Sequence, residues 1–212
     1  MDLHLSGKTA VVTGASKGIG FAVTKALVDA GAHVIAGSRT PGKQLPLLEE
    51  SGQVSFVPVD LTQPGAAEEL IAAATYRGGI DVLINNVGGA TGRPGGLASI
   101  SDDEWRASWD LNLMGVVRPT RAALPEIERR GGGSIVVVSS INAYHPTPNA
   151  YDYCAAKAAV ANSNPAPTTP GMVARFLICS SARLNPTPLV RGGADTPFCA
   201  ISHSLEQLSD LQ

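Results

Sequence analysis

Five short, nearly continuous apolar runs mark the first three quarters of the chain, and longer helical stretches separate them. The runs are residues 9–13, 33–36, 54–57, 82–84 and 134–138. A half-exposed strand alternates apolar and polar side chains, whereas a run that is apolar throughout is buried on both faces. Residues 19–30, 65–76 and 102–130 read as helical, and Gly31 stands where a residue of positive φ would close the first helix. Strand, helix and strand in this repeated order predict an α/β fold, with a doubly wound parallel sheet and helices on both faces. No internal repeat is evident.

The pattern breaks near residue 161. Residues 162–171, Asn-Ser-Asn-Pro-Ala-Pro-Thr-Thr-Pro-Gly, are turn and loop chemistry. Six of the fifteen prolines fall between Pro165 and Pro197. Residues 172–179 form one apolar run that fits a strand. Residues 180–200 have no period and read as loop or disorder, and residues 205–211 fit a short amphipathic turn of helix. The chain therefore divides into a periodic region, 1–161, and an atypical tail, 162–212.

Composition excludes several classes. A chain of 212 residues that is 44% hydrophobic suits one sizeable core. No apolar run approaches the ~20 residues of a membrane span, so no membrane partner is expected. The first eight residues lack a basic stretch followed by an apolar one, so no secretory signal is expected. Sixteen Lys and Arg against eighteen Asp and Glu leave a net charge of −2, without the basic excess of a nucleic-acid binder. Cys154, Cys179 and Cys199 cannot all pair, and none has CxxC or Cys/His ligand spacing. Neither a disulfide framework nor a metal site is expected, and the thiols read as reduced, in a cytoplasmic protein.

Thr13-Gly14-Ala15-Ser16-Lys17-Gly18-Ile19-Gly20 lies directly between the first strand and the first helix. Gly14 permits a sharp turn, Gly18 lets a pyrophosphate approach the backbone, and Gly20 allows close helix–strand packing. The helix N-terminus supplies N–H groups and a positive dipole end. A glycine-rich turn with no ligand is the plainer alternative at this point. The spacing is GxxxGxG, and with Thr13 ahead of it the segment resembles the signature of the short-chain dehydrogenase/reductase family. The resemblance implies a Rossmann-type fold whose C-terminal part is incomplete here, with cofactor contacts from Gly14, Ser16, Lys17, Gly18, Ile19 and Gly20.

The second strand ends Ala36-Gly37-Ser38-Arg39-Thr40, with no acid to hold a ribose 2′-hydroxyl. Arg39, with Lys17 as a second cation and Ser38 beside it, is placed for a 2′-phosphate. NADP(H) is therefore expected over NAD(H); two solvated surface cations are the alternative. By resemblance, Asp60 contacts the adenine amino group and Leu61 N–H lies near the ring. Asp60 or Thr62 could equally cap the following helix. Asn85-Asn86-Val87-Gly88 differs from the family's usual Asn-Asn-Ala-Gly only at Val87. The resemblance has Asn86 steady the central sheet and Gly88 admit the adenosine ribose.

Tyr153-Cys154-Ala155-Ala156-Lys157 puts Tyr153 and Lys157 at i and i+4, on one face of a helix. An unperturbed phenol ionises only near pH ~10, so it is a poor acid–base catalyst at neutral pH, and a nearby cation lowers that value. Ser140, at the end of the fifth strand, can hydrogen-bond a substrate oxygen. Ser140, Tyr153 and Lys157 match the family's active-site set. Asn112 matches its helix asparagine, which supports a water-linked proton relay to the lysine; Lys157 would also bind the nicotinamide ribose. Tyr151 stands i, i+6 from Lys157, on another face. Ser139 would point away from Ser140 by strand alternation. His145 reads as a solvated loop residue, and Trp105 and Trp109, at i and i+4, as packing against core or partner.

The resemblance covers roughly residues 5–161. Beyond it, the tail reads as an internal deletion, a frameshift or an alternative end, which the encoding DNA read in all frames would test. Two functions are expected of such a chain. One is hydride transfer between NADP(H) and a small ketone or secondary alcohol, with Tyr153 as acid/base. The other is a non-catalytic remnant that binds nucleotide or a partner subunit. The family suggests a dimer or tetramer, which an early end to the Tyr153 helix opposes.

Overall fold

The computed structural model describes residues 3–163 and 172–177. Six strands run parallel in one sheet: β1 (Thr9–Thr13), β2 (His33–Ser38), β3 (Val54–Pro58), β4 (Val82–Asn85), β5 (Gly133–Val138) and β6 (Met172–Leu177). Their spatial order is β3-β2-β1-β4-β5-β6, the doubly wound Rossmann order. The apolar run beginning at residue 172 is thus a strand, paired with β5 from Gly133↔Met172 to Val138↔Leu177.

Neighbouring side chains on each central strand enter different cores. Val11, Ile35, Leu83, Ile135 and Val137 pack on one side. There they meet Leu70 and Ile71 of α3 (Ala66–Tyr76), Val116 and Ile127 of α5 (Gly115–Arg129), and Val160 of α6 (Tyr151–Asn162). Val12, Val34, Ala36 and Ile84 pack on the other. Their partners are Leu27 and Val28 of α1 (Gly18–Asp29) and Leu45 of the short α2 (Leu45–Glu49). Each fully buried Leu, Ile or Val contributes about 1.5–3 kcal/mol, so unbroken apolar runs in the sequence become the sheet.

Residues 102–130 do not form one α-helix, as the sequence pattern predicts. α4 (Asp102–Trp109) passes through a π-turn, Asp110–Met114, into α5. The Asn112 side chain donates to the Ser108 carbonyl at 3.0 Å. That is the acceptor which the Asn112 backbone N–H would take in an α-helix, and competition of this kind widens the ladder. Trp109 is 40% exposed and so is not a core residue. α2 has no counterpart in the sequence pattern. The turn residues Pro170 and Gly171, the thiols of Cys179 and Cys199, and the helical turn at 205–211 lie outside the described residues. Among the described residues, no helix is long and apolar enough to cross a membrane.

The switch in strand order between β1 and β4 opens a crevice at their C-terminal ends, where ligands of such sheets bind. The glycine-rich turn sits there, and Gly20 is what closes it. A Cβ at Gly20 would lie 2.1 Å from the Gly14 carbonyl oxygen and 2.5 Å from Asn86 Nδ2. The first of these is backbone and cannot swing aside. Gly20→Ala is expected to destabilise the chain by about 2–3 kcal/mol, lowering Tm by about 5–10 °C. A melt superimposable on that of the parent chain would refute this packing.

Candidate active site

Thr13 and Asn86 join the two strands that flank the crevice. Thr13 Oγ1 accepts from the backbone N–H of Asn86 at 2.9 Å and of Val87 at 3.0 Å. Asn86 Nδ2 donates to the carbonyls of Thr13 at 3.0 Å and Gly14 at 3.1 Å. Gly14 has φ +66°, so a side chain there would be strained as well as crowded. Gly18 has φ +57°, yet open space surrounds the place where its Cβ would stand. Lys17 is the N-cap of α1 but makes no side-chain cap bond, and the first turn of α1 holds no acid. The turn is therefore packed tightly behind, at Gly14 and Gly20, and open in front, at Gly18. It presents uncapped helix N–H groups, the donor set that a phosphate takes up. Ser16 and Ile19 are half-buried within it, and Lys17 is exposed.

The cation and acid expected at neighbouring strand ends share one edge. Arg39 is exposed just past β2, and Ser38 Oγ donates to the Thr40 carbonyl at 2.7 Å. Asp60 Oδ1 accepts from the hydroxyl of Thr62 at 2.8 Å and from its N–H at 3.1 Å. These two bonds, helped by the Arg39 charge, hold the Asp60 carboxyl below its usual range. Neither Asp60 nor Thr62 caps α3. Its N-cap is Gly65, which has no side chain to cap with, and the Asp60 carboxylate is engaged in the local turn with Thr62. Leu61 is buried, and its carbonyl accepts from Arg118 Nη1 at 3.0 Å.

Gly88, Asn112 and Lys157 converge at the ends of β4 and β5. A Cβ at Gly88 would stand 2.9 Å from Asn112 Oδ1 and 3.2 Å from Lys157 Nζ. Asn112 is fully buried and grips the loop after β4 from both sides. Its Oδ1 accepts from Gly89 N–H at 2.9 Å, and its Nδ2 donates to Gly89 O at 3.0 Å. The side chain of Asn112 is thus committed to fixing this loop.

Lys157 is 3% exposed, and its Nζ donates to the Val138 carbonyl at 3.1 Å. Burial pushes its pKa down from 10.5 to about 8. Among the described residues no carboxylate pairs with it. Its Nζ lies 5.9 Å from the centre of the Tyr153 ring, so the helical spacing delivers cation to phenol as the sequence predicts. Tyr153 is half-buried. A buried lysine with a lowered pKa, held beside a phenol, makes this place a functional-site candidate.

β5 stops at Val138, where the apolar run ends, so Ser140 lies two residues beyond the strand rather than at its end. Strand alternation therefore does not govern Ser139 and Ser140, and both are buried. Ser140 caps the 3₁₀ turn Ile141–Ala143, its Oγ accepting from Asn142 N–H at 3.2 Å. Among the described residues, Ser139 Oγ has no hydrogen-bond partner. His145 is exposed, as expected.

One pair is not apparent from the sequence pattern. Arg93, in the loop after β4, donates to the buried Asp152, the residue before Tyr153, through Nη2 at 2.8 Å and Nε at 3.3 Å. A carboxylate next to the tyrosine and an arginine in a glycine-rich loop are the only signals of it.

Comparison with known proteins agrees with the geometry. Residues 8–163 match the short chain dehydrogenase family. The chain is 36% identical over 163 residues to dehydrogenase/reductase SDR family member 4 of Pongo abelii, covering 74% of this chain and 58% of that protein. The chain thus spans under two thirds of that relative's length. A 3-oxoacyl (acyl-carrier-protein) reductase from Agrobacterium tumefaciens C58, solved with NADP bound, is 31% identical with a TM-score of 0.69. The match covers 76% of this chain and 63% of that one. NADH-dependent reductase A1-R′, solved with NAD, is 28% identical with a TM-score of 0.78, covering 86% and 82%.

Proposed function

The chain belongs to the short-chain dehydrogenase family, and from that premise we propose that it is an NADPH-dependent oxidoreductase acting on a small ketone or secondary alcohol. The observation that carries this reading is Lys157, buried at a cost, without a carboxylate partner among the described residues, and held beside the Tyr153 ring. A structural lysine would be expected at the surface, or paired.

The front of the glycine turn fits a dinucleotide pyrophosphate: Gly18 is open and the α1 N–H groups are uncapped. Gly14, Ser16, Lys17, Gly18, Ile19 and Gly20 would hold that group. Arg39 and Lys17 would hold the 2′-phosphate, and Ser38 closes the same strand end. Asp60 and Leu61 would border the adenine and Gly88 would admit the adenosine ribose, while Asn86 steadies the cofactor turn through the Thr13 and Gly14 carbonyls. Both cofactors occur among the similar structures, so the preference for NADPH rests on Arg39 standing where an acid would serve NADH. When bound, the cofactor supplies or accepts the hydride.

The chain's own groups manage the proton and the oxygen. Ser140 Oγ hydrogen-bonds the substrate oxygen. Tyr153 Oη gives that oxygen its proton in reduction and takes it back in oxidation. The Lys157 ammonium favours the phenolate by its charge and would bond the nicotinamide ribose. Asn112 fixes Gly89 and thereby the wall beside Lys157. A water-linked relay to Lys157 would use the Asn112 backbone carbonyl or the remaining lone pair of Oδ1, because both side-chain N–H groups are taken.

The test is consumption of NADPH by the purified chain against a panel of ketones and aldehydes. Turnover that Tyr153→Phe abolishes would support the proposal. Nucleotide binding with no turnover on any carbonyl would favour the non-catalytic reading instead.

A further inference from the structure

Arg93 joins three segments around the start of α6. Its side chain is only 12% exposed, although the loop that carries it is mostly exposed. Nη2 and Nε grip Asp152 Oδ2, and Nη1 donates to Glu104 Oε1 at 2.6 Å. Glu104 is itself fixed, since its other oxygen completes a capping box with Ser101 at the start of α4. The Arg93 backbone N–H donates to the Asn149 carbonyl at 2.9 Å, just before α6.

Asp152 is 1% exposed, and both its oxygens are occupied. Oδ2 receives Arg93, while Oδ1 accepts from the backbone N–H of Tyr153 at 3.0 Å. The N-cap of α6 is Ala150, which offers no side-chain bond. The first turn of this helix is therefore secured by the Arg93–Asp152 pair. The arginine loop is also clamped upstream, where Asn112 grips Gly89 on both sides. Two polar clamps thus hold one loop, the first beside Lys157 and the second beside Tyr153.

We infer that Arg93 is a positioning residue: through Asp152 it sets the first turn of α6, and so the placement of the Tyr153 ring against Lys157. This inference rests on the catalytic reading of Tyr153. Charge matters here as well as contact, because guanidinium can bond Asp152 and Glu104 at once in a fixed fork. Lysine would reach one carboxylate at a time.

The test compares the full chain with Arg93→Gln, with Arg93→Lys and with the double variant Arg93→Gln/Asp152→Asn. The double variant leaves no buried unpaired charge, so it keeps the test open should the single variant fail to fold. Two readouts are needed: kcat and KM on the best carbonyl, and the fluorine resonances of the chain labelled with fluorotyrosine. The chain has four tyrosines, and the Tyr153 line is assigned by its loss in Tyr153→Phe.

The expected result is a kcat about 10–100-fold lower, NADPH affinity unchanged, and a Tyr153 line that moves while those of Tyr76 and Tyr144 stay. Arg93→Lys should restore part of kcat. An unmoved Tyr153 line, or kcat equal to that of the parent, would overturn the inference and leave the catalytic reading intact. If Tyr153→Phe turns over as well as the parent, the catalytic reading falls instead. The fluorine line still decides whether Arg93 places the ring.

Discussion

Tyr153→Phe is expected to cut turnover by about 10²–10⁴-fold while leaving NADPH affinity and Tm nearly unchanged. The substitution removes only the hydroxyl. The ring, half-buried on α6 and 5.9 Å from Lys157 Nζ, keeps its packing. No hydrogen bond of Tyr153 Oη supports the described fold, so stability has little to lose. Proton transfer to the substrate oxygen has everything to lose, because the hydroxyl removed is the group proposed to carry that proton. Steady-state rates and a melt on the same preparation decide it. Loss of activity together with a collapsed melt would point to a structural tyrosine, and full activity would remove Tyr153 from the mechanism.

The second large effect is a gain in stability. Lys157→Met should abolish turnover to a similar degree and yet make the chain more resistant to heat at pH 7. The folded lysine titrates at about 8 instead of 10.5, and burial is the cause. At about 1.36 kcal/mol per pKa unit, holding it protonated at pH 7 costs the fold about 3 kcal/mol. Methionine of similar length removes that cost but leaves the Val138 carbonyl without its donor, which returns about 1–2 kcal/mol. A net gain of about 1–2 kcal/mol should raise Tm by about 2–8 °C.

The sign is fixed by linkage. Between about 8 and 10.5 the unfolded chain binds a proton that the folded chain does not, so this group makes stability rise with pH across that window. Below about 8 the full cost is present in the parent chain. The advantage of Lys157→Met is therefore largest at neutral pH and shrinks toward pH 10. A variant less stable than the parent at pH 7 would mean that Lys157 supports the fold, and the argument for a functional lysine would fail. Stability given up at one buried charge is common where a site needs that charge.

The sheet is legible in the sequence because both faces of β1, β4 and β5 are covered, which leaves no polar alternation to confuse the pattern. The Tyr153–Lys157 pair is legible because helical spacing alone brings i and i+4 together. What cannot be read depends on contacts remote in sequence. Arg93 and Asp152 are 59 residues apart, and nothing local in a Gly- and Pro-containing loop marks the arginine as half-buried. The π-turn follows from one side-chain bond, Asn112 to Ser108, within a stretch whose apolar spacing suits an ordinary helix. α2 is only five residues long, carries Pro46 near its start, and buries just Leu45, too little to leave a period. The apolar run stops with the strand at Val138; what the pattern does not mark is that Ser140 leaves the strand to cap the following 3₁₀ turn through a side-chain bond.

The proposed preference for NADPH rests on Arg39 and Lys17 reading a 2′-phosphate. Thermal melts of the full 212-residue chain, alone, with NADPH and with NADH at equal concentration, test it most directly. A ligand present at about 100 times its Kd stabilises the fold by about 2.7 kcal/mol, or roughly 5–10 °C in a chain of this size. A single cooperative melt, raised by NADPH well beyond any rise with NADH, is the predicted result. Equal shifts, a larger shift with NADH, or no shift with either would contradict it.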